Sequence, residues 1–145
     1  MYLFTNNNIE ETKWDKENPG MYIENIKLKK ETGYDAAETS KWNENNKNTY
    51  YIGSYEGCGC GWHSTKESDF DRNNEEDKEE LFNKIKDRRA LHKLLKSNNC
   101  NGSYIIVCQE GDQGKEINKT IKINIEKVKK AGFSFYELVK YILKG

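Results

Sequence analysis

The chain carries no net charge: 24 Lys and Arg side chains cancel 24 Asp and Glu. Sequence-independent binding to nucleic acid works by counterion release against a basic surface, so that class of partner is disfavoured. No apolar run approaches the roughly 20 residues that a membrane-spanning helix needs, which excludes a partner role for the membrane through such a span. The opening residues, Met1-Tyr2-Leu3-Phe4-Thr5-Asn6, lack the basic region and the apolar stretch of a secretory signal. A cytoplasmic location is therefore expected, with thiols that are free, buried or metal-bound rather than in disulfides. Histidine is scarce, with two in the chain. The glycine-lysine phosphate loop, the two-histidine zinc helix and the serine nucleophile elbow are all missing, which removes the commonest motif-bearing enzyme classes.

What is present points to one folded domain over residues 1–145. Hydrophobic residues make up 34 % of the chain and charged ones 33 %, so the core must be economical and the surface heavily solvated. Nine tyrosines, five phenylalanines and three tryptophans argue against disorder. Strand-like runs occur at Tyr2–Phe4, Met21–Leu28 and Thr49–Ser54, and a helical turn is expected around Asp35–Glu38. From Glu75 to Lys96 there is neither Gly nor Pro. Acidic residues gather at the start of this segment and basic ones at its end, as a helix macrodipole favours, with Asp71, Asn73 or Asn74 available as N-cap. Ser103–Cys108 reads as a buried strand, and Ile117, Ile121, Ile123 and Ile125 mark another. In the tail, Phe135, Leu138, Val139 and Ile142 recur at helical spacing, and Ser134 with Glu137 forms a capping box. The expected fold is α+β: a small mixed or antiparallel sheet with one long central helix and a C-terminal helix.

The most distinctive stretch follows the third strand. Gly53 to His63 holds four glycines, two cysteines, Glu56 and His63 in eleven residues. Glycine permits positive φ and close approach of a ligand or of another backbone. Ser54, Glu56, Gly57, Gly59, Gly61 and Trp62 are accordingly candidate ligand-binding residues. Cys58, Cys60 and His63 offer soft ligands for zinc, with Cys100 or Cys108 as a fourth. The Cys-x-Cys spacing is shorter than usual zinc knuckles and redox pairs, so packing of the thiols competes with both readings.

Placed on a helical wheel, Leu81, Ile85, Leu91 and Leu95 define an apolar stripe with Phe82 at its margin, and Arg88 and His92 fall inside it. Either the stripe opens to solvent at these two residues, their stems covering apolar surface, or they face the glycine-rich loop and meet Glu56 or an anionic ligand. If the strands flanking the helix run parallel, the loops after Ser54 and after Cys108 leave the same end of the sheet, and Glu110 and Asp112 join the site. Antiparallel strands would separate them.

The segment Tyr51-Ile-Gly-Ser-Tyr-Glu-Gly-Cys-Gly-Cys-Gly-Trp62 resembles a pattern in small bacterial and phage-encoded proteins, in which an aromatic strand enters a Gly-Ser-x-Glu-Gly-Cys-Gly-Cys-Gly-aromatic loop. The resemblance covers about a dozen residues and brings no catalytic residue with it. It implies a small stand-alone domain, of a size and habit found among immunity, inhibitor and ligand-sequestering factors. The functional expectation is a non-enzymatic binding protein that recognises a partner protein or a small ligand, with an immunity or anti-defence role as its most specific form. A zinc-binding domain and a small cysteine-dependent enzyme are the alternatives.

Overall fold

In the structure, a computed structural model, residues 1–26, 37–62, 71–130, 133 and 135–145 are described. The strands are β1 (Tyr2–Thr5), β2 (Tyr22–Asn25), β3 (Asn48–Gly53), β4 (Tyr104–Ile106), β5 (Lys119–Asn124) and β6 (Val139–Lys144), and the long helix is α1 (Glu75–Ser97). Together the strands make one mixed sheet in the order β2-β3-β1-β4-β6-β5. Every pairing is antiparallel except β5 with β6.

Side chains alternate across the pleat, so the sheet serves two cores, one on each face. Leu3, Ile23, Tyr50, Ile52, Ile105, Tyr141 and Leu143 belong to the face that also buries Leu91 and Leu95 of α1. Tyr2, Phe4, Tyr104 and Ile106 belong to the opposite face, closed by Trp42 from the 3-10 turn Ser40–Trp42. There the Phe4 and Tyr104 rings stack at 4.8 Å, the Tyr104 hydroxyl donates to the Trp42 carbonyl at 2.6 Å, and the Trp42 indole donates to the Lys115 carbonyl at 2.7 Å.

The helix begins where its charge pattern and caps place it. The Asn74 side chain accepts from the amides of Glu76 and Asp77, satisfying two donors that the first turn leaves open. Its end is marked by Asn99 and Gly102, both at positive φ.

The strands flanking α1 run the same way. Both β3 and β4 are antiparallel to β1, which lies between them, so the chain leaves β3 and β4 at the same end of the sheet.

The expected C-terminal helix is not formed. Residues 139–144 are instead β6, which fills the slot between β4 and β5 and pairs in parallel with β5 from Lys119↔Val139 to Asn124↔Lys144. Val139, Tyr141 and Leu143 are buried while Lys140 and Ile142 are half-buried and Lys144 is exposed, a period of two hidden within apolar spacings that also fit a helix. Leu138, at φ 55°, stands at the strand's entrance in a conformation no helix contains. Ser134 of the proposed capping box lies outside the described residues. The helical turn expected around Asp35–Glu38 falls partly outside them as well; residues 37–39 are helical and lead into the 3-10 turn. Among the described residues no helix is long and apolar enough to cross a membrane.

Candidate functional site

The loop after β3 is built around Ser54. Its amide and its hydroxyl both donate to the Cys58 carbonyl, at 2.7 and 2.9 Å. The same hydroxyl accepts from the amides of Glu56 and Gly61, at 3.3 and 3.2 Å, and its carbonyl accepts from the Gly57 amide at 3.0 Å. A hydroxyl offers one donor and two acceptor sites, so the Ser54 side chain is spent inside the loop. Its role here is to hold the turn.

Two glycines are required by this geometry. A Cβ on Gly61 would lie 2.5 Å from Ser54 Oγ, and one on Gly53 would overlap the Tyr22 ring. Gly57 sits at φ +80°, with its carbonyl accepting from the Tyr22 hydroxyl at 2.8 Å. Gly59 packs beside the Met1 backbone and the Tyr51 hydroxyl. Trp62 is fully buried, its indole N–H donating to the Ile52 carbonyl at 2.9 Å; it anchors the loop in the core. Glu56 is exposed at the tip.

Three residues that the sequence did not single out complete the site. The indole of Trp14 covers Gly57, close enough that a Cβ there would meet it at 3.3 Å. Its N–H donates to the Tyr55 carbonyl at 2.9 Å, yet 40 % of the residue remains exposed. The Tyr55 amide donates to Asp87 Oδ2 at 2.7 Å, tying the loop to α1. Burial raises the Tyr55 hydroxyl pKa, and the neighbouring Glu56, Glu80 and Asp87 carboxylates push it further. Burial also raises the pKa of Asp87, against the lowering influence of the Tyr55 and Met21 amides and of Lys86. A signal for Asp87 existed: it stands four and eight residues before Leu91 and Leu95, in the same helical row. Trp14 gave a fainter one, a lone aromatic in a polar segment.

Arg88 and His92 do not converge on the loop. His92 Nε2 lies 3.0 Å from Glu126 Oε1, in a cluster with Lys96 and Lys129. Hydrogen bonds from Lys129, His92 and Lys96 hold the Glu126 carboxyl down to about 2. Arg88 is 5 % exposed, with its guanidinium carbon 5.5 Å from the centre of the Phe135 ring. Neither residue pairs with Glu56. The opening of the stripe to solvent holds only in part for His92, and for Arg88 not at all.

Glu110 and Asp112 follow β4 and so leave the sheet at the same end as the glycine-rich loop. Their own loop is fastened to the face opposite α1: Asp112 pairs with Lys115 at 2.6 Å, and Gln113 donates to the Tyr2 hydroxyl at 3.2 Å. Glu110 is exposed and Asp112 is half-buried.

One cysteine departs from expectation: Cys58 is disulfide-bonded, while Cys100 and Cys108 take part in no disulfide. A sulfur held in a disulfide presents no thiolate to a metal. Cys100 is buried, and burial pushes its thiol up to about 11, which makes it a poor nucleophile. His63 and the side chain of Cys60 lie outside the described residues. Among the described residues no group of three or more His, Cys, Asp or Glu side chains is arranged to hold a metal ion. The arrangement is a rigid, backbone-rich corner carrying an exposed aromatic and an exposed carboxylate. No family model matches the chain, and neither a curated protein nor a solved structure matches it.

Proposed function

We propose that this is a cytoplasmic, non-enzymatic binding protein that recognises a partner protein or a small ligand through the corner formed by Trp14 and the loop 53–62. The observation that carries this reading is Trp14. It is a large aromatic with its polar atom satisfied by Tyr55 and 40 % of the residue left in solvent, packed against a loop whose backbone is held by Ser54, Tyr22 and Asp87. Aromatic anchors on pre-organised supports dominate recognition energetics, because little conformational entropy is lost when they dock. Glu56 beside it adds one charged contact. An immunity or anti-defence role is the most specific form of this proposal and rests on the motif resemblance alone.

A cysteine-dependent enzyme is less well supported, with Cys58 oxidised and Cys100 buried. The zinc reading requires the Cys58 disulfide to be reduced, and metal analysis of reduced protein, with Cys58→Ser as control, tests it separately.

The binding proposal is tested by capture from lysate of the native host and by native mass spectrometry of protein purified from it. A partner or ligand retained by the wild type and lost with Trp14→Ala, at unchanged thermal stability, supports it. Retention that Trp14→Ala and Glu56→Gln leave intact overturns this surface as the site.

A further inference from the structure

The two edges of the sheet are finished differently. At β2 the chain covers its own edge: the Thr12 amide donates to the Ile23 carbonyl at 3.0 Å, the Ile23 amide to Thr12 Oγ1 at 3.1 Å and the Asn25 amide to Glu11 Oε1 at 2.7 Å. At the other end of the strand order, β5 has no such cover. Lys119, Thr120, Lys122 and Asn124 are exposed, and among the described residues no hydrogen bond reaches an outward amide or carbonyl of this strand.

The register shows which groups are left over. The Leu143 amide donates to the Ser103 carbonyl at 2.8 Å, on the β4 side. Backbone groups alternate in direction along a strand, so Lys140 and Ile142 turn theirs toward β5. With Thr120 opposite Lys140 in the parallel pairing, the amides and carbonyls of Lys119, Ile121 and Ile123 face β6. Those of Thr120 and Lys122 therefore point out of the sheet. The burial of Ile123 between exposed neighbours fits this alternation.

The same edge is basic. From Lys115 to Lys144 the chain carries eight lysines against three glutamates, in a protein without net charge. Lys115, Lys129 and Lys140 pair with Asp112, Glu126 and Glu44, whereas Lys119, Lys122 and Lys144 form no ion pair among the described residues. Lys122 and Lys144 lie on the face opposite α1, and Lys119 lies on the α1 face with Ile121 and Ile123. Of the acidic residues near β5, Glu126 is held by Lys129, Lys96 and His92, and Glu116, exposed in the approach to the strand, offsets one charge. An incoming strand thus meets lysine on both faces and the half-buried Ile121 between.

We propose that the outer edge of β5 docks an acidic, extended segment of a partner protein, added to the sheet as a further strand. Main-chain bonds to Thr120 and Lys122 supply the ladder, and carboxylates opposite Lys119 and Lys122 set register and partner choice. Lysines on an open edge also guard it, because pairing with an identical edge brings like charges together. The residues that disfavour a second copy are therefore the ones that favour an acidic strand. A polynucleotide would meet the lysines but leave the outward backbone groups unused. The site lies at the opposite end of the strand order from β2 and the Trp14 corner, and does not depend on that corner.

The probe is a capped peptide of about ten residues built from Val, Thr and Glu, with Glu on both faces of the strand. Its counterparts carry Lys for Glu, or central prolines that cannot continue a ladder, and an oligothymidylate serves as a polyanion without a peptide backbone. The readout is amide hydrogen exchange by NMR. The acidic peptide should slow exchange at Thr120 and Lys122 saturably, and the three counterparts should not. Lys122→Glu, at an exposed position, should weaken the acidic peptide roughly fivefold, and Trp14→Ala should leave its binding unchanged. Unaltered exchange at these two amides in millimolar acidic peptide overturns the proposal, as does an equal response to any of the counterparts. A free protein that already dimerises with these amides protected assigns the edge to a second copy and overturns it too.

Discussion

The Tyr55 amide donates to the Asp87 carboxylate at 2.7 Å across 32 positions of sequence, and this bond joins the glycine-rich loop to the only long helix among the described residues. One carboxylate oxygen, Oδ2, is used. The other, Oδ1, is buried without a hydrogen-bond partner. The contact fixes the loop, while the charge that makes it is poorly accommodated.

Asp87→Asn should therefore be nearly neutral or stabilising, since the amide oxygen can still accept from Tyr55 and no charge is buried. Asp87→Ala should cost about 1–3 kcal/mol by leaving the Tyr55 amide unpaired. Because the folded-state pKa of Asp87 is raised, its contribution favours folding below its ordinary range and is lost as pH rises through the folded value. Denaturant titrations at pH 4 and pH 7 read both effects. A larger loss in Asp87→Asn than in Asp87→Ala would refute the assignment.

Gly53→Ala and Gly61→Ala should each destabilise by about 1–3 kcal/mol, because the added methyl meets the Tyr22 ring or Ser54. Gly111→Ala meets no heavy atom within 4 Å and bears only the strain of its positive φ, about 1 kcal/mol. Urea midpoints of the three variants should rank accordingly.

Alkylation of the native protein without reductant should label Cys108, leave Cys100 protected by burial until unfolding, and leave Cys58 unlabelled until a reductant is added. Peptide mapping after each step reads the order. Labelling of Cys58 in the native, unreduced protein would contradict its disulfide.

Glu126 should titrate near 2 rather than at its ordinary 4.5, owing to Lys129, His92 and Lys96. A depressed carboxyl pKa gives stability that is present above the unfolded value and lost as pH falls towards the folded one. The window is thus from about pH 4.5 down to 2. Carboxyl NMR shifts of Glu126 check the value, and a midpoint near 4.5 would remove the cluster from the account.

Several elements are legible in the sequence alone. The charge gradient and missing glycines place α1 within a residue of where it lies, and Asn74 is one of the caps expected. The loop after β3 is a tight turn at a strand end, as its glycines require. The tail shows where pattern fails. Val139, Tyr141 and Leu143 lie at a strand period, while Phe135, Leu138, Val139 and Ile142 lie at a helical one, and a short apolar run satisfies both. Pairing with β5 selected the strand.

The sequence by itself determined the helix, the glycine-rich turn and the class of mixed α and β structure, because capping, charge gradients and positive-φ turns are local effects that act within a few residues. Only the tertiary structure decided that β3 and β4 run the same way around β1, that Asp87 rather than Arg88 or His92 meets the loop, and that Trp14 covers Gly57. Those contacts join residues 32 to more than 100 positions apart, where the gain comes from filling a shared core and completing hydrogen bonds. At Arg88 the sequence places a cation in an apolar row, and the fold buries it over the Phe135 ring with its Nη1 lacking a hydrogen-bond partner.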